Sequence, residues 1–398
     1  MTAVLPDARA EKRTYPWNIG LAYCGDASKA GTWSGTPASL GNALRGRGAS
    51  VVALKAQAAP AVETLLAHTL TLLRVPRTPG DTLIERARLS RRIALYTGQR
   101  MSPFRSHGLR GEIARALPLD AVVQIQTNYS VPHGLPIVTY EDMTVAQAVD
   151  LPYAEWQALT KRERRAGIER QKRAYEQAVA CCFATQWAAD SAAADYGVPR
   201  EKTHVIGVGR NHSPRPVPRD WSTPRYLFVA SDWPMKNGDA VVGAFARLQR
   251  EIPEARLDLV GIHPPIDSPG VHGHGWLSLG DPADRAKLDE LFETSTCFVM
   301  PTLCEAAGIA YAEAGAAGVP SIGTSVGGAA EVIGDGGCVV DPRDHDALYA
   351  AMDHFADGNT ARAAGSRAQA HAEWFTWPNV ASRLLAALEP HLAPSRRA

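Results

Sequence analysis

Short apolar runs that close on glycine, proline or a small polar residue alternate along this chain with stretches whose apolar positions recur at helical spacing. The first run, NIGLAYCG (18–25), predicts a strand, and a Gly/Ser/Thr loop, DASKAGTWSGTP, follows it. ASLGNALRGRG then reads as a helix with Leu40 and Leu44 at i, i+4 and Gly48 as its stop, and ASVVALKA reads as the next strand. Strand, loop, helix and strand in that order open a doubly wound parallel sheet. Residues 61–115 are mostly helical in pattern, 121–127, 135–142 and 202–209 are strands, one long helix is expected over 153–180, and CCFATQWAADSAAADYG is strand, turn and helix. Residues 210–225 hold four prolines and no periodicity, which marks a linker. A second cycle follows: RYLFVA strand, SDWPMKNG loop, DAVVGAFARLQREIP helix, ARLDLVG strand. TCFVMPT, PSIGT and GCVVDP are further strands, DHDALYAAMDHFAD is a helix, and an amphipathic helix over 377–392 ends the pattern. The expected class is α/β, with two Rossmann-like doubly wound parallel-sheet domains facing a cleft where strand carboxyl ends converge. The expected divisions are 1–212, a linker at 213–225, 226–375, and a closing segment 376–398.

Composition changes this picture little. The chain has 398 residues, 45% hydrophobic and 21% charged, and a formal net charge of +1, so global charge gives no case for nucleic acid as a partner. Its six cysteines form no C-x-x-C pair and no zinc spacing, which points to buried, reduced thiols of a cytoplasmic protein. The stretch MTAVLPDARAEKRTYPW has no apolar signal-peptide core, and no uninterrupted apolar run reaches the ~18 residues of a membrane span. Two basic runs stand out. KRERRAGIERQKR (161–173) is interrupted by Glu163 and Glu169 and has few apolar residues, so a solvated helix face is favoured over membrane contact. RARLSRRIALYTGQR (86–100) interleaves apolar residues and is expected to pack inward.

Candidate chemistry concentrates in CEAAGIAYAEAGAAGVP (304–320), a small, apolar stretch that keeps Glu305 and Glu313. Glu305 follows a strand, in a loop, and Gly308 marks the start of a helix whose unpaired N–H groups suit a phosphate. Two carboxylates beside such an end accept hydrogen bonds from sugar hydroxyls, and together they fit a sugar nucleotide. The alternative is a solvated Glu313 and a Glu305 favoured by the helix dipole. Lys236, after a strand and ahead of Asn237-Gly238, faces the same expected cleft and can stabilise charge developing on a leaving diphosphate.

The run PTLCEAAGIAYAEAGAAGVPSIGTSVGGAAEVIGDGGCVVDP (301–342) resembles the E-x7-E signature of the retaining glycosyltransferases of family 4, the group 1 glycosyl transferases with the GT-B fold. The likeness extends more loosely over 17–390, including YGVPREKTHVIGVGRN and WFTWPNVASRLL. The resemblance implies that Glu313 binds the ribose hydroxyls of a nucleotide and Glu305 the donor hexose. It implies that the amides of Ala306, Ala307, Gly308 and Ile309 hold phosphate and sugar, and that Lys236 neutralises the leaving diphosphate. Gly35 and Thr36 would approach the phosphates or the acceptor, and the last helix would cross back to the first domain.

Three departures qualify it. Ser231 stands where the family usually carries a second cation, with Arg210 a candidate substitute. Glu141 occupies the place of the usual histidine, followed by Asp142, so a carboxylate is expected near the reacting carbon. Ala307 replaces the usual residue before the glycine. His133 is read as a loop residue. Asp344-His345-Asp346 matches D-x-D, but Asp344 reads as a helix cap, so no metal is expected. No cofactor is expected either, the nucleotide sugar being a co-substrate. The resulting expectation is a metal-independent hexosyltransferase using a UDP- or GDP-sugar donor and a small-molecule, glycan or lipid-linked acceptor. Rival readings are a GT-B sugar-nucleotide epimerase, a non-catalytic sugar-nucleotide binder and, with no G-x-G-x-x-G after the first strand, a dinucleotide oxidoreductase as the weakest.

Overall fold

The computed structural model describes residues 14–392 apart from 28–31, 59–60, 64, 66–82, 99–100, 212–213, 215–216 and 279. They form two units. One runs from the start of the described chain to Ile206 and resumes at Val380; the other is Gly207–Asn379. In the first, β1 (Asn18–Tyr23), β2 (Ser50–Lys55), β3 (Ala121–Ile125), β4 (Ile137–Glu141), β5 (Ala180–Phe183) and β6 (Thr203–Val205) make one sheet in the order β2-β1-β3-β4-β5-β6. Around it lie α1 (Thr36–Gly46), α2 (Leu83–Thr97), α3 (Ser102–Ala116), α4 (Val145–Asp150), α5 (Ala154–Gln157), α6 (Lys161–Gln177) and α7 (Gln186–Tyr196).

The second unit repeats the plan. Its strands β7 (Arg225–Ala230), β8 (Arg256–Gly261), β9 (Val271–Gly275), β10 (Cys297–Val299), β11 (Ser321–Thr324) and β12 (Gly337–Val340) run in the order β12-β11-β10-β7-β8-β9. Its helices are α8 (Gly238–Glu251), α9 (Pro282–Thr294), α10 (Ile309–Ala316), α11 (Ala329–Ile333), α12 (His345–His354) and α13 (Gly358–Ala372). The last helix, α14 (Trp377–Leu388), begins here and from Val380 belongs to the first unit. The pairings in both sheets are parallel. Every residue of β3, β4 and β5 is buried, as expected for strands covered by helices on both faces.

Several expectations change. The helix expected over 153–180 is two. Thr160 caps α6 by accepting from Glu163 N, while the Glu163 carboxylate accepts from Thr160 N at 3.0 Å. This reciprocal box satisfies the first N–H groups of α6 and breaks the run. The unit boundary falls after Ile206 rather than near 212, because the following segment bonds within the second unit: Asn211 N donates to Glu313 Oε1 at 3.1 Å. Strand β9 and helices α9 and α13 have no counterpart in the sequence pattern. VHGHG has no apolar alternation, and α13 buries Ala361, Ala364, Ala368 and Ala372 instead of large residues. That small-residue face permits close approach. A Cβ on Gly365 would come within 2.2 Å of Gly318 O.

Of the six cysteines, all free, five are buried and Cys338 is half-buried. Among the described residues no helix is long and apolar enough to cross a membrane.

Candidate functional site

In an open parallel sheet, the loops leaving adjacent strands diverge where the strand order reverses, and a crevice opens there. The second sheet reverses between β7 and β10. Lys236 lies on the loop after β7 and Glu305 on the loop after β10, and Lys236 Nζ stands 2.6 Å from Glu305 Oε2. Both side chains keep partial access to solvent, at 22% and 14% exposure, so the charges are ordered yet reachable by a ligand.

Backbone contacts fix these loops. Leu303 N donates to Met235 O at 2.9 Å, which joins the two directly. Asn237 adopts the left-handed conformation (φ 64°, ψ 39°) at the N-cap of α8. Its Nδ2 donates to Pro301 O at 3.2 Å and to Pro342 O at 2.7 Å, tying in the loop after β12. Asn237 therefore spends its amide donors on protein carbonyls and acts as a staple. Glu305 is pinned from a further side: its N donates to Val326 O at 3.0 Å and its O accepts from Gly328 N at 2.9 Å. Gly327 (φ 105°) makes this approach possible, since a Cβ there would lie 2.0 Å from Glu305 O.

Gly308 (φ 82°) is the left-handed N-cap of α10, as the sequence predicts. A Cβ on it would meet the Tyr311 ring at 2.5 Å and Glu305 Cγ at 3.1 Å. Ala306 and Ala307 are buried, and Ile309 is half-buried. The first N–H groups of α10 lack intrahelical acceptors and carry the positive end of the helix dipole. Tyr311, which the sequence reading passed over, is a buried strut whose hydroxyl donates to Met300 O at 2.6 Å. Burial pushes its pKa up, and no proton is available from it near neutrality. Glu313, in the second turn of α10, is 7% exposed and accepts from Asn211 N. Ser231 is exposed at the carboxyl end of β7. Arg210 is no spare cation at this site, because its guanidinium donates to Ala372 O and, at 3.3 Å, to Glu373 Oε1. Asp344 caps α12 by accepting from Ala347 N at 2.8 Å.

The remaining candidates belong to the first unit. Glu141 requires correction. Its carboxylate is buried and accepts from Thr127 Oγ1 at 2.7 Å, from Gln171 Nε2 at 2.6 Å and from the Tyr175 hydroxyl. Burial outweighs these donors and raises its pKa to about 7. A carboxylate held by three protein donors inside its own unit is placed to organise the end of β4, not to meet a sugar carbon. Asp142 is half-buried in the bend that follows. Gly35 (φ 78°) caps α1 after two non-glycine left-handed residues, Trp33 (φ 44°) and Ser34 (φ 53°), and Thr36 is buried in the first turn. That left-handed run has no signature in the hydrophobic pattern. His133 is exposed on a loop.

Residues 223–357 match the family model of the glycosyl transferases group 1. The chain is 32% identical over 185 residues to a D-inositol 3-phosphate glycosyltransferase of Streptomyces avermitilis, covering 42% of this chain and 39% of the relative. It is 34% identical over 149 residues to a GDP-mannose-dependent alpha-(1-6)-phosphatidylinositol monomannoside mannosyltransferase of Mycolicibacterium smegmatis, covering 33% and 38%. The matched region thus spans about two fifths of the length of these curated relatives. Among solved structures, a sucrose-phosphate synthase of Thermosynechococcus elongatus superposes with a TM-score of 0.67 at 19% identity, covering 94% of this chain and 98% of that one. WaaG, a glycosyltransferase involved in lipopolysaccharide biosynthesis, superposes with a TM-score of 0.58 at 16% identity, covering 93% and 99%. The fold is GT-B, with two Rossmann-like parallel sheets.

Proposed function

We propose that the chain, whose residues 223–357 match the glycosyl transferases group 1, transfers a sugar, with retention and without a metal, from a UDP- or GDP-sugar to an acceptor hydroxyl. The observation that carries this reading is the Lys236–Glu305 pair at 2.6 Å on the two loops of the β7/β10 switch, beside the N-terminus of α10. An arriving diphosphate competes with Glu305 for Lys236 and lies against the helix amides of 306–309. The lysine and the helix end then offset the charge that grows on the diphosphate as the glycosidic bond breaks. Glu305, released from the lysine, accepts hydrogen bonds from the hexose, and Glu313 accepts them from the ribose. Ser231 supplies one neutral hydrogen bond where relatives of this family carry a cation. Gly35, Thr36 and Asp142 are the candidate acceptor contacts, and a leaving-group oxygen takes the acceptor's proton on the face that the diphosphate departs from. The names of the relatives support a polyol or glycan hydroxyl as acceptor.

A thermal-shift panel of UDP-, GDP-, dTDP- and ADP-sugars tests the donor site, because a ligand that binds the folded state raises apparent stability. One nucleotide sugar should raise the transition temperature of the wild-type chain and do so less for Glu313→Ala. Lys236→Ala should lower transfer turnover by about 100-fold or more, the scale of losing a charged group that acts on the transition state. Full donor binding and full turnover in both variants would remove this assignment.

A further inference from the structure

The first unit has a cavity of about 720 Å³ lined by its own residues, none of them from the loops after β7 and β10. It exists because β3 and β4 are joined by irregular chain instead of a helix, which leaves α3 and α6 unbridged over the sheet. Gln124 of β3, Ser106 and Arg110 of α3, and Arg173 and Gln177 of α6 line it, and the segment 130–133 runs along it. Three side chains, from β3, α3 and α6, pin residues 129–131 at its start. Gln124 Nε2 donates to Tyr129 O at 2.9 Å, Ser106 Oγ accepts from Ser130 N at 2.9 Å, and Gln177 Nε2 donates to Val131 O at 3.1 Å. The concavity is therefore pre-formed, and its volume is that of a small-molecule site.

Its charge is one-sided. Arg110, Arg173 and His133 all line it and make no hydrogen bond or ion pair among the described residues, while Glu176 is the one carboxylate in the lining. Behind the wall, Arg170 is held inward by bonds to Thr127 O at 3.3 Å and Thr97 O at 2.7 Å. Burial, and then the charges of Arg105 and Arg173, pull Arg170 down to about 10. The basic helix read from sequence as a solvated face thus turns one arginine inward and another toward a cavity.

We propose that this cavity binds a phosphorylated polyol of about the size of a sugar phosphate. Guanidinium groups match phosphate oxygens in fork geometry, and His133 adds an imidazole donor. The Gln177 amide oxygen and the Glu176 carboxylate accept from hydroxyls at the other end. The Val131, Pro132 and Ala174 surface packs against the ring.

Calorimetric titration with glucose 6-phosphate at low ionic strength tests it, with glucose as the uncharged control. The wild-type chain should bind glucose 6-phosphate, more weakly as salt is added, and should not bind glucose. The double variant Arg110→Gln/Arg173→Gln changes two exposed side chains and should fold; its affinity should fall about tenfold or more, the scale of losing charge-assisted hydrogen bonds. Lys236→Ala should bind the probe as the wild type does. The proposal is overturned if the wild-type chain gives no saturable binding, if the double variant binds unchanged, or if Lys236→Ala abolishes binding and so puts the probe in the donor site. Sugar-nucleotide thermal shifts on the double variant keep the two sites apart: their loss in the wild-type chain would count against the donor site and leave this one standing.

Discussion

Glu141 shows how little a residue's type says without its surroundings. Its folded pKa is raised above the ordinary carboxylate value of 4.5 to about 7. The folded state therefore binds the proton more tightly than the unfolded chain, and stability falls as pH rises from about 4.5 through 7. The span amounts to an upper bound on the order of 3 kcal/mol. Denaturant midpoints measured from pH 5 to 8 should decline in the wild-type chain and flatten in Glu141→Gln; an equal slope in both would remove the effect. Asn237 carries a second prediction. Asn237→Ala loses two hydrogen bonds and puts alanine, which tolerates the left-handed region less well than asparagine, at φ 64°. The expected loss is about 2 kcal/mol, and turnover should fall more than donor affinity because Lys236 loses its support. Asn237→Gly keeps the backbone geometry and loses only the bonds, so it should recover part of the stability.

Elements follow local chemistry more faithfully than single residues do. The capping box of Thr160 and Glu163 was present in the letters as T-x-x-E, yet the helical pattern on either side masked it. Thr160→Ala should cost about 1 kcal/mol by chemical denaturation, the usual value of an N-cap hydroxyl. The Gly327 turn behaves differently, because its demand comes from the neighbouring loop rather than its own segment. With Glu305 O 2.0 Å from any added Cβ, Gly327→Ala has to push the Glu305 backbone away. It should destabilise the chain by more than about 2 kcal/mol and weaken donor binding together. Element β9 escaped the sequence reading for the opposite reason: it is a strand by virtue of pairing with β8, not by pattern.

At the scale of the molecule, chain order and unit membership part company. Val380, Ala381, Leu384, Leu385 and Leu388 of α14 are wholly buried and belong to the first unit, although they follow the second in sequence. Arg383 Nη1 donates to Ile206 O at 2.7 Å, which joins the two ends of that unit. Truncation after Asn379 should therefore unfold the first unit. Burying four large apolar side chains is worth up to roughly 10 kcal/mol, comparable to the whole stability of a domain. Hydrogen exchange should show lost protection across β1, β3 and β4; intact protection there would mean that α14 is dispensable.

The sequence alone determined the alternation of strands and helices, two parallel sheets, the E-x7-E run with its glycine-led helix, and a lysine after the strand RYLFVA. Each of these rests on local causes: apolar period, backbone freedom at glycine, and spacing along one segment. Tertiary structure alone decided that Glu141 is walled in by Thr127, Gln171 and Tyr175, and that Asn237 is spent on Pro301 and Pro342. It also decided that Lys236 meets Glu305 across a strand switch, and that Arg173 lines a cavity while Arg170 turns inward. Burial and the identity of distant partners fix those roles, and residues brought together across 14 to 105 positions of chain leave no periodic trace in the order of the letters.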